Sequence, residues 1–366
     1  MAMRLKEALE SHSRDHLRSM LTVSRRHESA PAPSEMRPES VLDRLVSEGA
    51  RIRFAMVDDV LENKGAIRFQ KMRVRYLEAG KEGMPVLLGI HGSGTSNAVR
   101  SWHKNVIALG EHFHVILPDI PGFGETDKNF GRSTVEYYSG DFLPKFADAI
   151  GLERFNLMGT SMGGAIATKF TLDNPNRISH LVNISAYGFN RGDVDLIRYF
   201  GTRLSRPIES LQSMANTQFF SNHPEMTYPI VRFVMKHISK EMRDKIRSGE
   251  DLGLTNMREY LQEKLPLAEL QLLKSEITIT GRNRTNLLDR VRRLGDNGVP
   301  VLFIVGTRDE LVKPDGARRA RALLSNGIAF LYEIEGMGHA PQIHRSEEVN
   351  RLITDFLNDD YALLRD

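Results

Sequence analysis

Three side chains in this sequence have the types and placement of acyl-transfer chemistry. Gly159-Thr160-Ser161-Met162-Gly163-Gly164 follows the apolar run Phe155–Met158 and opens the helix-like stretch Ala165–Phe170. Strand, Gly-x-Ser-x-Gly, helix is the context in which a tight turn lifts a serine hydroxyl off a strand end. Side chains beside so tight a turn would collide, which is why glycine at 159 and 163 suits it. The turn also sets Ser161 at a helix N-terminus, where free N–H groups favour developing negative charge.

Serine at neutral pH is a poor nucleophile and needs a base, which in turn needs an orienting carboxylate. Asp309 lies in Gly306-Thr307-Arg308-Asp309-Glu310, directly after the apolar run Val301–Val305. His339 lies in Gly336-Met337-Gly338-His339-Ala340-Pro341, after the run Ile328–Ile334. Glu310 and Asp119 are the alternative acids. Of twelve histidines, only His339 lies in the glycine-rich loop directly after the last expected strand.

A tetrahedral intermediate also needs two donors for its oxyanion. The N–H of Met162, just after the nucleophile, is one. The second is expected from the turn His91-Gly92-Ser93-Gly94 after the run Val86–Ile90, at Ser93. Gly92 and Gly94 let that backbone approach a substrate. His91 reads as a brace for the turn, and Asp119 as part of a structural loop reaching to Gly124. Trp102 is a candidate pocket wall.

The elements that must position these residues are legible in the hydropathy pattern. Short apolar runs of four or five residues alternate with helix-like segments such as Val135–Ile150, Gly164–Asp173, Gly316–Leu324 and Ser346–Leu357. Continuous apolar runs indicate strands buried on both faces, hence a parallel sheet covered by helices and an α/β class. If Ser161, Asp309 and His339 each follow a strand of one parallel sheet, all three emerge at the same edge.

Between Ser185 and Val301 the alternation stops. Ile230, Val234, Ile238 and Met242 are spaced four apart, with Phe233 beside them, as on one helix face. This block reads as a helical cap, and Phe233 is a candidate substrate-binding residue. The expected division is an N-terminal arm over 1–50, core over 51–189 and 299–366, and a cap over 190–298. Within the arm, a short helix is expected over Ser40–Glu48, with Val41, Leu45 and Val46 on one face.

Composition narrows the function classes. The chain has 366 residues and no cysteine, so thiol nucleophiles, disulfides and Cys-ligated metals are excluded. The lack of cysteine fits a cytoplasmic setting. Lysine plus arginine is 50 against 47 acids, a net of +3, with no basic run, so no nucleic-acid partner is expected. No apolar stretch approaches the roughly 18 residues of a membrane span. The histidines lack paired-ligand spacing and no phosphate-cradling loop follows a strand, so neither metal nor cofactor is expected. The expected partner is a small-molecule ester, and the cap or arm offers the surface for a homo-oligomer.

On these residues the chain resembles the α/β-hydrolase fold superfamily, capped esterase and lipase type, across about residues 70–190 and 295–360. The matching motifs are His91 to Gly94, Asp119 to Gly124, Gly159 to Gly164, Asp309 and Gly336 to His339. The resemblance implies an eight-stranded, mostly parallel sheet with a helical lid after the sixth strand. It implies Ser161 as nucleophile, His339 as base, Asp309 as orienting acid, and Ser93 and Met162 as oxyanion donors. Within the superfamily the chain is similar to meta-cleavage-product C–C hydrolases and small carboxylesterases. It departs from the C–C hydrolases at Thr95-Ser96, where they have Pro-Gly, and at Ala340, where they have an aromatic. Haloalkane dehalogenases and epoxide hydrolases use aspartate where Ser161 stands. The expected activity is hydrolysis of a carboxylic ester, with C–C hydrolysis or a ligand-sensing role of little turnover as alternatives.

Overall fold

The apolar runs become strands because each successive side chain meets an apolar layer on the opposite face of the sheet. In a computed structural model, Leu88, Ile116, Leu157, Leu181 and Phe303 pack into one core layer. Their neighbours Leu87, Val115, Met158, Val182 and Leu302 pack into the other. That alternation is the period of a strand with both faces covered. The structure describes residues 40–63, 66–93, 96–127, 133–190, 285–309, 311–324 and 327–362.

The strands are β1 (Arg51–Asn63), β2 (Ala66–Ala79), β3 (Val86–Ile90), β4 (His114–Pro118), β5 (Phe155–Thr160), β6 (Ile178–Ile184), β7 (Val301–Gly306) and β8 (Ala329–Ile334). They form one eight-stranded sheet in the order β1-β2-β4-β3-β5-β6-β7-β8. β2 is antiparallel to both β1 and β4, and the pairings from β4 through β8 are parallel. This is the mostly parallel eight-stranded sheet expected from the sequence.

The helices divide between the faces. The first layer carries Val135–Tyr137 (α4), Leu143–Ala149 (α5) and Met162–Asp173 (α6), with Asp315–Leu323 (α8). The second carries Val41–Ser47 (α1), Ala98–Trp102 (α2), Val106–Gly110 (α3) and Ser346–Leu357 (α9). The segment read as one helix over 135–150 is instead interrupted by a π turn, Tyr138–Phe142. There the Tyr138 hydroxyl donates to Pro121 O at 2.9 Å, tying this layer to the loop after β4.

At α1 the helix forms where expected, but Val41 and Val46 are exposed, and Leu45 carries the burial. Leu45 and Ala50 lie in the second core layer, and the compact unit runs from Val41 to Asp366. Leu287, Val291 and Leu294, within the range expected for the cap, are buried in the first layer. Arg292–Asp296 (α7) leads from there into β7. The expected cap helices, including Phe233, lie outside the described residues. No helix among the described residues is long and apolar enough to cross a membrane.

Candidate active site

Ser161 sits between β5 and α6 with φ 55° and ψ −121°. A non-glycine residue in this region costs on the order of 1–3 kcal/mol and persists only where its surroundings hold it. Here Ser161 N–H donates to Ile184 O at 2.9 Å, and Ser161 O accepts from Tyr187 N–H and Gly164 N–H, each at 3.0 Å. The neighbouring glycines are needed for space. A Cβ on Gly159 would strike the Gly163 carbonyl, and one on Gly163 would strike the carbonyls of Ile90 and His91. Met162 is the first residue of α6 and buried, so its N–H has no partner within the helix.

The turn after β3 lies directly against Ser161. A Cβ on Gly92 would come 3.2 Å from Ser161 Cβ. Ser93, the candidate second donor, is the next residue and is partly exposed. Gly94 lies outside the described residues.

The candidate acid and base lie in the loops after β7 and β8, which are knit together. Arg308 N–H donates to Met337 O at 2.8 Å, and Gly336 N–H donates to Thr307 Oγ1 at 2.9 Å. A side chain at Gly306 would strike the Met337 and Gly338 backbone. His339 Nδ1 lies 2.8 Å from Asp309 Oδ2. A carboxylate can only accept here, so Nδ1 carries the proton and Nε2 is left as the basic nitrogen. Asp309 is held by its other oxygen, which accepts from Leu311 N–H at 2.9 Å and Val312 N–H at 2.8 Å. Its side chain is fully buried, whereas that of His339 is 25% exposed. A fixed, dry carboxylate and a part-exposed imidazole suit an orienter and a proton carrier. Ser161, Asp309 and His339 thus follow β5, β7 and β8, and Gly92 follows β3, all at the C-terminal edge of the parallel strands.

Other candidates fall away. Trp102 is fully buried in the second core layer with Leu87, Leu109 and Phe113, so it cannot wall a pocket. It closes α2 facing the sheet, and its bulk fills the layer. Asp119 is fully buried and ion-paired with Arg75 at 2.9 Å. Its oxygens also accept from the N–H groups of Ala98 and Glu125, each at 2.8 Å. His91 accepts from Ile120 N–H at Nε2, in keeping with the bracing role read for it. Glu310 lies outside the described residues. Among the described residues no cluster of three or more His, Asp or Glu side chains could hold a metal.

Sequence reasoning missed the support under the elbow. Ser185 directly follows β6 with φ 45° and is buried, and Ala186 packs where a side chain at Gly164 would stand. The Arg75–Asp119 pair was equally hidden, since Arg75 sits in a strand among other basic residues. The only signal for either is spatial.

A family model described as the alpha/beta hydrolase fold matches residues 85–346. The chain belongs to that family. This alpha/beta hydrolase is 26% identical to the 2-hydroxy-6-oxononadienedioate/2-hydroxy-6-oxononatrienedioate hydrolase 2 of Pseudomonas putida over 314 residues, which cover 85% of this chain and 98% of the relative. Among solved structures it is similar to a putative lipase from Acinetobacter baumannii AYE. The TM-score is 0.58 at 21% identity, covering 90% of this chain and 99% of the other. It is also similar to a meta-cleavage product hydrolase from Pseudomonas fluorescens IP01. There the TM-score is 0.52 at 22% identity, covering 83% and 98% respectively. At these identities the two structures speak for the fold of the alpha/beta hydrolase alone.

Proposed function

We propose that this protein is a serine hydrolase that attacks an activated carbonyl carbon, with Ser161 as nucleophile, His339 as base and Asp309 as its orienting acid. The observation that carries the reading is the Asp309–His339 bond, which leaves Nε2 basic, combined with a serine on a strained turn at the same sheet edge. In the first step the Ser161 hydroxyl adds to the carbonyl as its proton passes to His339. Met162 and Ser93 N–H groups receive the oxyanion. On collapse, His339 returns the proton to the leaving group and an acyl-enzyme remains. Water then adds to the acyl carbon with His339 again as base, releasing a carboxylic acid and free Ser161.

A carboxylic ester of a small apolar or aromatic acid is the first substrate class. Thr95-Ser96 and Ala340 support it, because they replace residues that C–C hydrolases of this family carry. The second reading is hydrolysis of a C–C bond beside a ketone, favoured by the nearly full-length match to the Pseudomonas putida hydrolase. It needs a leaving carbon stabilised by a conjugated carbonyl and protonated as the bond breaks.

Turnover of short p-nitrophenyl esters and of a vinylogous diketone, measured side by side, separates the two readings. The substrate class with the higher kcat/KM identifies the bond cleaved. Replacing Ser161 by Ala is expected to lower kcat by about a thousandfold or more on the preferred substrate. A Ser161→Ala protein within about tenfold of wild type would overturn the nucleophile assignment.

A further inference from the structure

We infer that Asp119 and His91 are positioning residues for the oxyanion donor at Ser93, holding the backbone on both sides of it from neighbouring points of a single loop. The inference rests on the serine-hydrolase reading above and adds to it residues that touch no substrate.

The loop after β4 places Asp119 and Ile120 side by side. Asp119 Oδ1 accepts from Ala98 N–H at 2.8 Å, downstream of Ser93. Ile120 N–H donates to His91 Nε2 at 3.1 Å, upstream of it. That bond requires a lone pair on Nε2, so the His91 proton sits on Nδ1 and is donated to Gly92 O at 2.7 Å. The imidazole thus links Ile120 to the carbonyl just before Ser93, and Phe123 packs edge-on against the ring at 5.4 Å. Residues 119 and 120 therefore grip the strand end and the start of α2 at once.

The grip is anchored in the sheet. Arg75 of β2 pairs with Asp119 Oδ2 at 2.9 Å, both side chains being buried. Asp119 N–H also donates to Arg75 O at 2.9 Å, and Thr126 Oγ1 donates to Asp119 O at 2.7 Å while accepting from Arg75 N–H at 3.0 Å. Glu125 N–H occupies Asp119 Oδ2 as well. A carboxylate with this many fixed donors cannot swing, so Ala98 is held to the sheet by a rigid link.

Oxyanion donors act by being in place before charge develops, and they must be held within about 0.5 Å to be effective. Gly92 already lies against Ser161 on the catalytic side. The Asp119–Ile120 grip supplies the opposing constraint on the remote side. Releasing it should loosen the donor for the transition state while leaving ground-state binding of substrate nearly intact.

The test uses variants of the full-length chain. Ala98→Pro removes the N–H that Asp119 accepts while keeping the Arg75–Asp119 pair. Proline suits the first helical position, and Asn97, with φ −158° and ψ 179°, already has a backbone compatible with a following proline. His91→Ala releases the other side. Each is expected to lower kcat about tenfold or more with KM within about threefold of wild type. Inhibition by a trifluoromethyl ketone, which forms a tetrahedral adduct, should weaken in proportion to kcat/KM. A purely structural role would lower the melting temperature without this split. Folded variants with kcat within about twofold of wild type, or with the loss confined to KM, would overturn the inference. If Ala98→Pro does not fold, His91→Ala decides by the same measurements. Ser161→Ala in parallel keeps the outcomes apart. If that variant stays active, the hydrolase reading fails. If it is inactive while Ala98→Pro and His91→Ala are unaffected, only the positioning role fails.

Discussion

Asp309 shows how a single side chain's surroundings set the consequence of changing it. One of its oxygens is committed to two backbone N–H groups, those of Leu311 and Val312, and the other to His339 Nδ1. In Asp309→Asn the amide oxygen must stay with the two N–H donors. The NH2 group is then forced toward His339 Nδ1, which has to become the acceptor. The ring proton moves to Nε2, and the base proposed for Ser161 is lost. The expected result is a fall in kcat of about three to four orders of magnitude with the fold retained, measured by steady-state kinetics alongside circular dichroism. A fall of less than about tenfold would show that Asp309 does not orient the base. At this scale the placement of Ser161, Asp309 and His339 behind strands of one sheet was legible, because each sits in a glycine-flanked loop after an apolar run. The sequence was uninformative for Trp102, because a lone aromatic at the end of a short helix carries no mark of which way it faces. Burial in the core layer decided that question.

Among the elements, the β1–β2 ribbon is longer than its apolar runs suggest. Asp58 and Asp59 break the hydrophobic pattern of β1. The strand continues to Asn63, paired in register with β2 from Arg51–Glu78 to Asn63–Ala66. Asp59 is buried there because Tyr137 donates its hydroxyl to it at 2.9 Å and Gln70 donates its amide at 3.2 Å. Burial, with the Asp59 carboxylate, pushes the Tyr137 hydroxyl well above its usual range, so it remains a donor. Glu78, at the other end of the ribbon, accepts from Arg51 at 2.9 Å and Arg53 at 3.0 Å, and lies 2.7 Å from His114 Nε2 on β4. Burial alone would raise its pKa, but hydrogen bonds from Arg51, His114 and Arg53 outweigh that and hold it at about 2, below the ordinary 4.5. A folded value below the unfolded one means a contribution present above pH 4.5 and lost as pH falls toward 2. Glu78→Gln should therefore melt below wild type at neutral pH, and the two melting temperatures should converge between pH 4.5 and 2. Parallel melting curves across that window would rule out this linkage.

At the scale of the molecule, the described residues form a sheet with two apolar layers, and membership of those layers marks which segments the body needs. The buried strands and their alternation with helices were readable because buried parallel strands have a distinctive composition. The limits of the body were harder to read, because α1 exposes most of its surface and its composition resembles that of the preceding residues. Yet Leu45 is completely buried among residues of the second layer, and Ala50 joins it there. The turn between them is built for that purpose. Gly49 takes φ 106°, a conformation open to glycine, and Ala50 N–H donates to Leu45 O at 2.8 Å, bringing the chain straight into β1. Leu45→Ala in the full-length chain should then cost about 2–5 kcal/mol, the range for truncating a buried leucine. Removing residues 1–50 should lower the melting temperature by several degrees more than removing residues 1–39, because only the longer deletion strips α1 from the sheet. Equal melting temperatures for the two deletions, together with an unperturbed Leu45→Ala protein, would mean that α1 lies on the core without stabilising it.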